Sequence, residues 1–153
     1  MIEFLYYDIP LSVNKLYFTK GGRRVLSGPG RKFKTAFVAS RGGLSAEELM
    51  RFRVDPESEY GLELWFFLLP DRLYNFTYGQ DKRVKSPFND LDVSNLVKLA
   101  EDSIAELLGL RDRNNFDVSA HKRPAERREL MVARLYPINI DLEKNPWARL
   151  TRG

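Results

Sequence analysis

A group of acidic and basic side chains in the second half of the chain is the clearest candidate for a catalytic site. Asp90 and Asp92 are two residues apart in a segment that we predict to be extended, so both side chains can point the same way. Lys98 and Asp102 are four residues apart in a predicted helix, which places them one turn apart on one face. Asp112 follows this helix in a short polar turn.

Carboxylates that converge from a loop, a helix and a turn can bind Mg²⁺, which prefers oxygen ligands and keeps several waters. Such an ion polarises a phosphodiester and activates an attacking water, while a neighbouring lysine stabilises the charge that develops on the phosphate. Each residue also has a simpler interpretation: Asp92 as a helix cap, Lys98 and Asp102 as a surface ion pair, and Asp112 as a turn former. The cluster indicates a metal-dependent nuclease but does not identify one by itself.

The distribution of charge fits a polyanionic partner. The chain has 153 residues and a formal net charge of +4. Residues 1–42 carry eight Lys or Arg against two Asp or Glu, whereas residues 90–117 carry seven acids against three bases. Bases that hold a phosphate backbone and carboxylates that hold a hard cation are what a nuclease needs. On composition alone, a basic ribosomal or structural protein with one acidic helix is an equal alternative.

Several classes of protein are excluded by what the sequence lacks. There is no cysteine, which excludes disulfide scaffolds, cysteine nucleophiles and thiolate metal sites. His121 is the single histidine, so one chain cannot supply a multi-histidine centre. No apolar run is long enough to span a membrane, and the acidic opening segment does not resemble a signal peptide. We therefore expect a cytoplasmic protein with no membrane partner.

The apolar periodicity predicts one α+β domain over residues 1–138, followed by a C-terminal tail, 139–153. In the first of its helices, Phe33, Ala36 and Phe37 are expected to face inward. Asp92 or Ser94 can cap the most amphipathic helix, which Gly109 can close. We predict strands over 2–7, 60–69, 116–123 and 128–138, a hairpin around Gly21-Gly22, and helices over about 30–40, 46–53 and 92–110.

Residues 70–89 lack a clean period and form a predicted loop of about twenty residues, a length that is usually functional or disordered. Its aromatic side chains alternate with basic ones, which suits unstacked nucleobases and their phosphates. The alternative is that the aromatic side chains only anchor the loop to the core. The candidate DNA-binding residues of this loop are Tyr74, Phe76, Lys82, Arg83 and Lys85.

Two stretches resemble the RusA family of Holliday-junction resolvases, which is common in phages and prophages. PLSVNKLYFTKGGRRVLSGPGRKFK (10–34) resembles the family's proline–serine–asparagine turn, its arginine-rich hairpin and the following helix. DVSNLVKLAEDSIAELLGLRDRNNFDVSAHK (92–122) resembles its signature of acids around an asparagine, a lysine three residues later, an aspartate four further on, and an acidic turn. Together the similar regions cover residues 9–34 and 88–137.

The resemblance implies roles for individual residues. Aligned on the asparagine of the signature, the family's first metal-binding aspartate corresponds to Asp92, its catalytic lysine to Lys98, its helix aspartate to Asp102 and its last metal-site aspartate to Asp112. Two departures occur: serine stands at position 94, where the family has aspartate, and Arg111 replaces the acid before Asp112. Asp92 and Asp112 are then the first-choice metal ligands, with Asp90 and Asp102 in support. The missing ligand would come from Ser94 or from Asp90, or the activity would be reduced.

The family's fold and activity follow as expectations. The resemblance implies a mixed β-sheet with flanking helices, and a homodimer that nicks symmetric strands of a four-way DNA junction with Mg²⁺, for which Mn²⁺ can substitute. A non-catalytic junction-binding or architectural protein is the main alternative, and an RNA-binding protein is a third. The expected DNA contacts outside the long loop are Asn14, Lys20, Arg23, Arg24, Arg31, Lys32 and Lys34.

Overall fold

The computed structural model describes residues 1–12, 15 and 17–138, with the side chain of Asp112 outside this description. The predicted contact Asn14 and the predicted tail, 139–153, lie outside the described residues. The strands are β1 (Ile2–Tyr6), β2 (Tyr17–Lys20), β3 (Arg23–Leu26), β4 (Tyr60–Leu68), β5 (Asn115–Pro124) and β6 (Leu130–Pro137). The α-helices are α1 (Gly28–Ala39), α2 (Ala46–Arg51), α3 (Pro70–Leu73) and α4 (Ser94–Leu108), with 3₁₀ turns at Arg41–Gly43 and Asp112–Asn114.

Four strands form one mixed sheet in the order β1-β6-β4-β5, which confirms the predicted α+β class. β4 runs parallel to β5 and antiparallel to β6, and β1 pairs with β6. β4 occupies the interior because it is apolar on both faces; Leu62, Leu64 and Phe66 alternate along it and are almost fully buried. The predicted hairpin is also present, as β2 paired with β3 through Gly21-Gly22.

One face of the sheet is covered by α1 and α4. The apolar stripe predicted for α4 is buried as expected, because its spacing keeps it on one side of the helix. Gly109 ends this helix in the left-handed conformation, at φ 69°, as predicted. The buried members of the stripe are Leu96, Leu99, Ala100, Ser103 and Ile104.

The orientation of α1 differs from the prediction at one position. Phe33 and Phe37 are buried as expected, but Ala36 is exposed. The helix is turned so that Lys34 faces α4 and forms an ion pair with Glu106. The two buried phenylalanines fix the covered side of α1, and the ion pair is an additional contact at its border with α4.

The other face of the sheet carries half-exposed apolar side chains. Trp65 and Phe67 of β4 and Val132 of β6 are only partly buried, and Leu5 of β1 is 49% exposed. Tyr136 lies over Gly61, where any side chain would collide with the tyrosine ring. Over the part of the chain that the structure describes, none of the helices has the length and apolarity required to cross a membrane.

Candidate functional site

An open cleft of about 490 Å³ lies beside the N-terminus of α4. Five of its six lining residues are polar, and two of them are the acids that were predicted to share a cavity. The extended segment before α4 therefore brings Asp90 and Asp92 to one place, as their spacing indicated. The lining residues are Asn89, Asp90, Leu91, Asp92, Asn95 and Lys122.

The carboxylate of Asp92 is held by the first residue of α4. The backbone N–H of Ser94 donates to Asp92 Oδ1 at 3.1 Å. This bond, with a second one from the Ser94 hydroxyl and the nearby charge of Lys122, lowers the pKa of Asp92. Asp92 therefore stays ionised at a lower pH than an ordinary aspartate does, which suits a metal ligand or another anionic role.

Ser94 does not cap the helix in its own right. The residue at the N-cap position is Val93, and Ser94 is the first residue within α4. The prediction of a serine cap is therefore wrong, because the chain enters the helix one residue earlier and Asp92 supplies the acceptor. The hydroxyl of Ser94 lies against Asp92, which keeps it close to the carboxylate that it was expected to supplement.

Lys122 is a cleft residue that the sequence analysis missed. Its Nζ donates to the carbonyl oxygen of Leu91 at 2.6 Å, so it fastens the residue between Asp90 and Asp92. The available signal was strand alternation, since Lys122 shares with Ala120 the face of β5 that turns towards the helices. A lysine on such a face needs a polar partner, and this one has it beside the two acids.

Lys98 and Asp102 form the ion pair that their spacing predicts, with Lys98 Nζ 2.9 Å from Asp102 Oδ1. Both side chains are partly exposed, on the face of α4 that carries Asn95. Neither lines the cleft itself. Lys98 is three residues, just under one turn, from Asn95, and Asp102 is about two turns away, so the proposed cationic catalyst is beside the cleft and not within it.

Asp112 begins a 3₁₀ turn that is anchored through the side chain of its last residue, Asn114. Asn114 is buried and donates to the carbonyl oxygens of Pro56 and Ser58 at 2.8 and 3.0 Å. Asn115 donates to Glu101 of α4 at 2.8 Å, so the chain after Asp112 returns alongside the middle of that helix.

The donors that are described suit a hard cation. Asp90 and Asp92 are exposed carboxylates, and Asn95 adds an amide oxygen in the same cleft. Mg²⁺ is commonly held by one or two carboxylates together with phosphates of the substrate. Among the side chains that the structure describes, no group of three or more acids or histidines is arranged to hold a metal. Asp90 and Asp92 could therefore hold an ion together with a phosphate of a substrate.

The long segment before the cleft is an organised loop. It begins with α3, so its first four residues are helical and not irregular as predicted. Asn75 closes its base by donating to the carbonyl oxygens of Ser86 and Phe88. Phe76 and Phe88 remain 67% and 60% exposed, and Tyr74 lies 6.3 Å from each ring. The loop thus presents exposed aromatic rings, and the chain continues from it directly into the segment that lines the cleft.

The predicted phosphate contacts fall into two groups. Lys20, Arg23 and Arg24 are exposed on the β2–β3 hairpin, with Arg24 stacked 4.6 Å from the Tyr17 ring. Others are already engaged within the chain. Lys34 forms an ion pair with Glu106, and Arg83 forms one with Asp81. Arg31 donates to the carbonyl oxygen of Leu26, and Lys85 donates to that of Lys82. Lys32 lines a separate groove near Phe33.

In comparisons with known proteins, the chain matches no protein-family model and no curated protein sequence.

Proposed function

We propose that this protein is a Mg²⁺-dependent, structure-selective endodeoxyribonuclease that resolves four-way DNA junctions as a homodimer. The observation that carries the proposal is the cleft in which Asp90, Asp92, Asn95 and Lys122 meet at the start of α4. The substrate class, four-way DNA junctions, and the homodimer are inferred from the resemblance of this region to the RusA signature. The basic N-terminal part of the chain supports a nucleic-acid partner.

Asp90 and Asp92 are the residues that would hold the ion, with Asp112 as a further candidate ligand. When bound, the ion would activate the attacking water and offset charge on the scissile phosphate. The N–H and hydroxyl of Ser94 keep the carboxylate of Asp92 ionised and oriented. Asp102 in turn holds the ammonium group of Lys98 through their ion pair.

The two lysines near the site have different roles in this proposal. Lys98 stabilises negative charge that develops on the phosphate, which is the role implied by the family signature. Lys122 is a positioning residue, because its bond to the Leu91 carbonyl oxygen fixes the segment that carries both acids. The exposed rings of Tyr74 and Phe76 would receive bases that are unstacked at the branch point.

The experiment that tests the proposal uses a labelled synthetic four-way junction with Mg²⁺. We expect paired nicks at symmetric positions, no cleavage of a linear duplex of the same sequence, and loss of activity with a chelator. Asp55→Asn is the matched control, since Asp55 is also an exposed aspartate held by a neighbouring N–H and a serine hydroxyl. Uncut junction throughout the metal titration would contradict the nuclease proposal.

A second candidate is a junction-binding protein without cleavage. The observation in its favour is Ser94, which stands where the RusA family has an acid and whose donors bind Asp92. The same assay separates the two functions, because a binder gives a shifted but intact junction. An equal preference for RNA hairpins would instead favour the RNA-binding alternative.

A further inference from the structure

Asp90 lies at the centre of a tight turn that is held at both ends. The N–H of Leu91 donates to the carbonyl oxygen of Asn89 at 2.8 Å, which makes Asp90 the middle residue of a three-residue turn. After the turn, Lys122 Nζ donates to the carbonyl oxygen of Leu91 at 2.6 Å. Before the turn, Asn89 is bound to the start of the long loop. The position of the Asp90 carboxylate therefore depends on what holds Asn89.

Three hydrogen bonds join Asn89 to the first residues of that loop. Its backbone N–H donates to the carbonyl oxygen of Leu73 at 3.0 Å. Its side-chain amide donates to the carbonyl oxygen of Asp71 at 2.7 Å and to that of Tyr74 at 3.4 Å. Because Asp71 and Leu73 belong to α3, Asn89 fastens the turn that carries Asp90 to a helical segment.

The helix α3 is in turn fixed to the rest of the fold. Glu129, which lies just before β6, accepts from the backbone N–H of Leu69 at 3.0 Å and forms an ion pair with Arg72 at 2.6 Å. The N–H of Ala125, just after β5, donates to the carbonyl oxygen of Leu68 at 2.7 Å. Asn89 thus connects the turn to a segment that is anchored at the end of the central sheet.

We propose that Asn89 is a positioning residue that sets Asp90 for the metal ion. This inference rests on the proposed function, in which Asp90 and Asp92 would hold Mg²⁺. The carboxylate of Asp92 is held directly by the N–H of Ser94, whereas Asp90 is held through its neighbours in the chain. Loss of the Asn89 amide removes two of the three bonds before the turn. Ordering Asp90 again then consumes part of the free energy of ion binding.

The first test measures Mn²⁺ binding to the full chain without DNA, by electron paramagnetic resonance of the free ion. Asn89→Ala should raise the dissociation constant about tenfold, the scale usual for groups that orient a metal ligand, and Asp90→Asn should raise it at least as much. Asn75→Ala is the matched control, since its amide also donates to two carbonyl oxygens of the loop but does not line the cleft. It should leave the dissociation constant unchanged. Equal affinities of the wild type and Asn89→Ala, or equal losses for the two asparagine variants, would overturn the inference.

Cleavage of a four-way junction provides a second readout. In single-turnover assays, Asn89→Ala should raise the Mg²⁺ concentration at half-maximal rate about tenfold and recover most of the wild-type rate at saturating Mg²⁺. A residue that only stabilises the fold would lower the rate in the same proportion at every Mg²⁺ concentration, and that result would overturn the inference.

The two readouts separate this inference from the proposed function. Junctions that are cut with the same Mg²⁺ dependence by the wild type and Asn89→Ala would overturn the role of Asn89 and leave the nuclease proposal standing. A wild type that binds Mn²⁺ through Asp90 but cuts no junction would contradict the nuclease proposal, and the Mn²⁺ affinities would then decide the role of Asn89.

A third measurement uses the wild type alone, so it does not depend on the folding of a variant. By linkage, an ion that binds best to the held turn also stabilises that turn. Saturating Mg²⁺ should therefore slow hydrogen exchange at the backbone N–H of Asn89 several-fold. Exchange at Gln80, whose N–H donates to the carbonyl oxygen of Thr77 elsewhere in the loop, should be unchanged. Exchange at Asn89 that does not respond to Mg²⁺ would overturn the inference.

Discussion

The two sides of α4 show how one helix separates stability from chemistry. On its covered side, Leu96 and Leu99 are completely buried against the sheet, and the hydroxyl of Ser103 is satisfied by the Leu99 carbonyl oxygen. On its other side, Lys98 and Asp102 are partly exposed and form an ion pair with each other beside the cleft. Substitutions on the first side should therefore change folding, and substitutions on the second should change activity at constant stability.

The largest expected effect on activity is at the N-terminal end of the exposed side. Asp92→Asn should remove junction cleavage, because an amide oxygen is a poor ligand for a hard dication. Junction binding should be unchanged or slightly tighter, since one negative charge that repels phosphate is lost. Cleavage rates and gel-shift titrations measure the two separately. Cleavage at the wild-type rate would show that Asp92 is not an essential ligand.

The next largest effect is expected at Lys98. Lys98→Ala should lower turnover by roughly 10²–10³, by analogy with the loss of one oxyanion-hole donor, and should change junction affinity much less. Arg51→Ala is the matched control, since Arg51 also forms an ion pair with an acid four residues away, Glu47, on α2 and away from the cleft. Single-turnover rates and binding constants provide the comparison. A loss confined to affinity would make Lys98 an ordinary phosphate contact.

The covered side of α4 is tested by Leu99→Ala. Removing a fully buried leucine should lower the free energy of unfolding by about 2–5 kcal/mol, since the transfer energy is lost and a cavity remains. Denaturant titration measures this loss, and cleavage per folded molecule should be unchanged. A variant of normal stability with impaired cleavage would contradict the division between the two sides of the helix.

Local patterns in the sequence predicted the parts of the fold that depend on neighbours along the chain. The stripe through Leu96 and Ile104 and the strand around Leu64 were recognisable because helix and strand periods repeat within a few residues. The exposure of Ala36 in α1 was not recognisable, because it depends on packing against elements that are distant in sequence; the contact of Lys34 with Glu106, for example, joins positions 72 residues apart.

The same distinction applies to the candidate site. The pairing of Asp90 with Asp92 and of Lys98 with Asp102 followed from short spacings, and both pairs occur. Lys122 was missed because its place in the cleft depends on how β5 packs beside the segment before α4, which no local period reports. Long-range packing thus completes a site whose acids are set by local sequence.

A smaller effect is expected for the exposed aromatics, which extend the comparison beyond α4. Phe76→Ala should reduce the preference for branched over linear DNA by about tenfold, since stacking of one base contributes ~1–3 kcal/mol. The stability of the Phe76→Ala variant should be unchanged, because the Phe76 ring is 67% exposed. Phe37→Ala is the buried comparison and should cost about 3–5 kcal/mol in stability. Equal losses of stability and binding for Phe76→Ala would indicate a ring that only anchors the loop.

The smallest expected effect tests the contact between Ser94 and Asp92. Ser94→Ala removes the hydroxyl donor but keeps the backbone N–H, so the pKa of Asp92 should rise and still remain below its usual value. Because the folded-state pKa is depressed, the contribution of Asp92 to stability is present above its unfolded-state pKa and is lost as pH falls through the folded value. The acidic limb of the cleavage profile should move to higher pH in the same variant.

Carboxyl-carbon NMR titration measures this shift, and the chain supplies a matched pair. The pKa of Asp55 is lowered by the N–H of Glu57 and the hydroxyl of Ser58, so Ser58→Ala should raise the pKa of Asp55 and leave that of Asp92 unchanged. Ser94→Ala should do the reverse. If Ser94→Ala leaves the titration of Asp92 unchanged but greatly raises the Mg²⁺ needed for cleavage, the hydroxyl serves the metal and not the carboxylate. In that case the ligand position of the missing acid belongs to Ser94 rather than to Asp90.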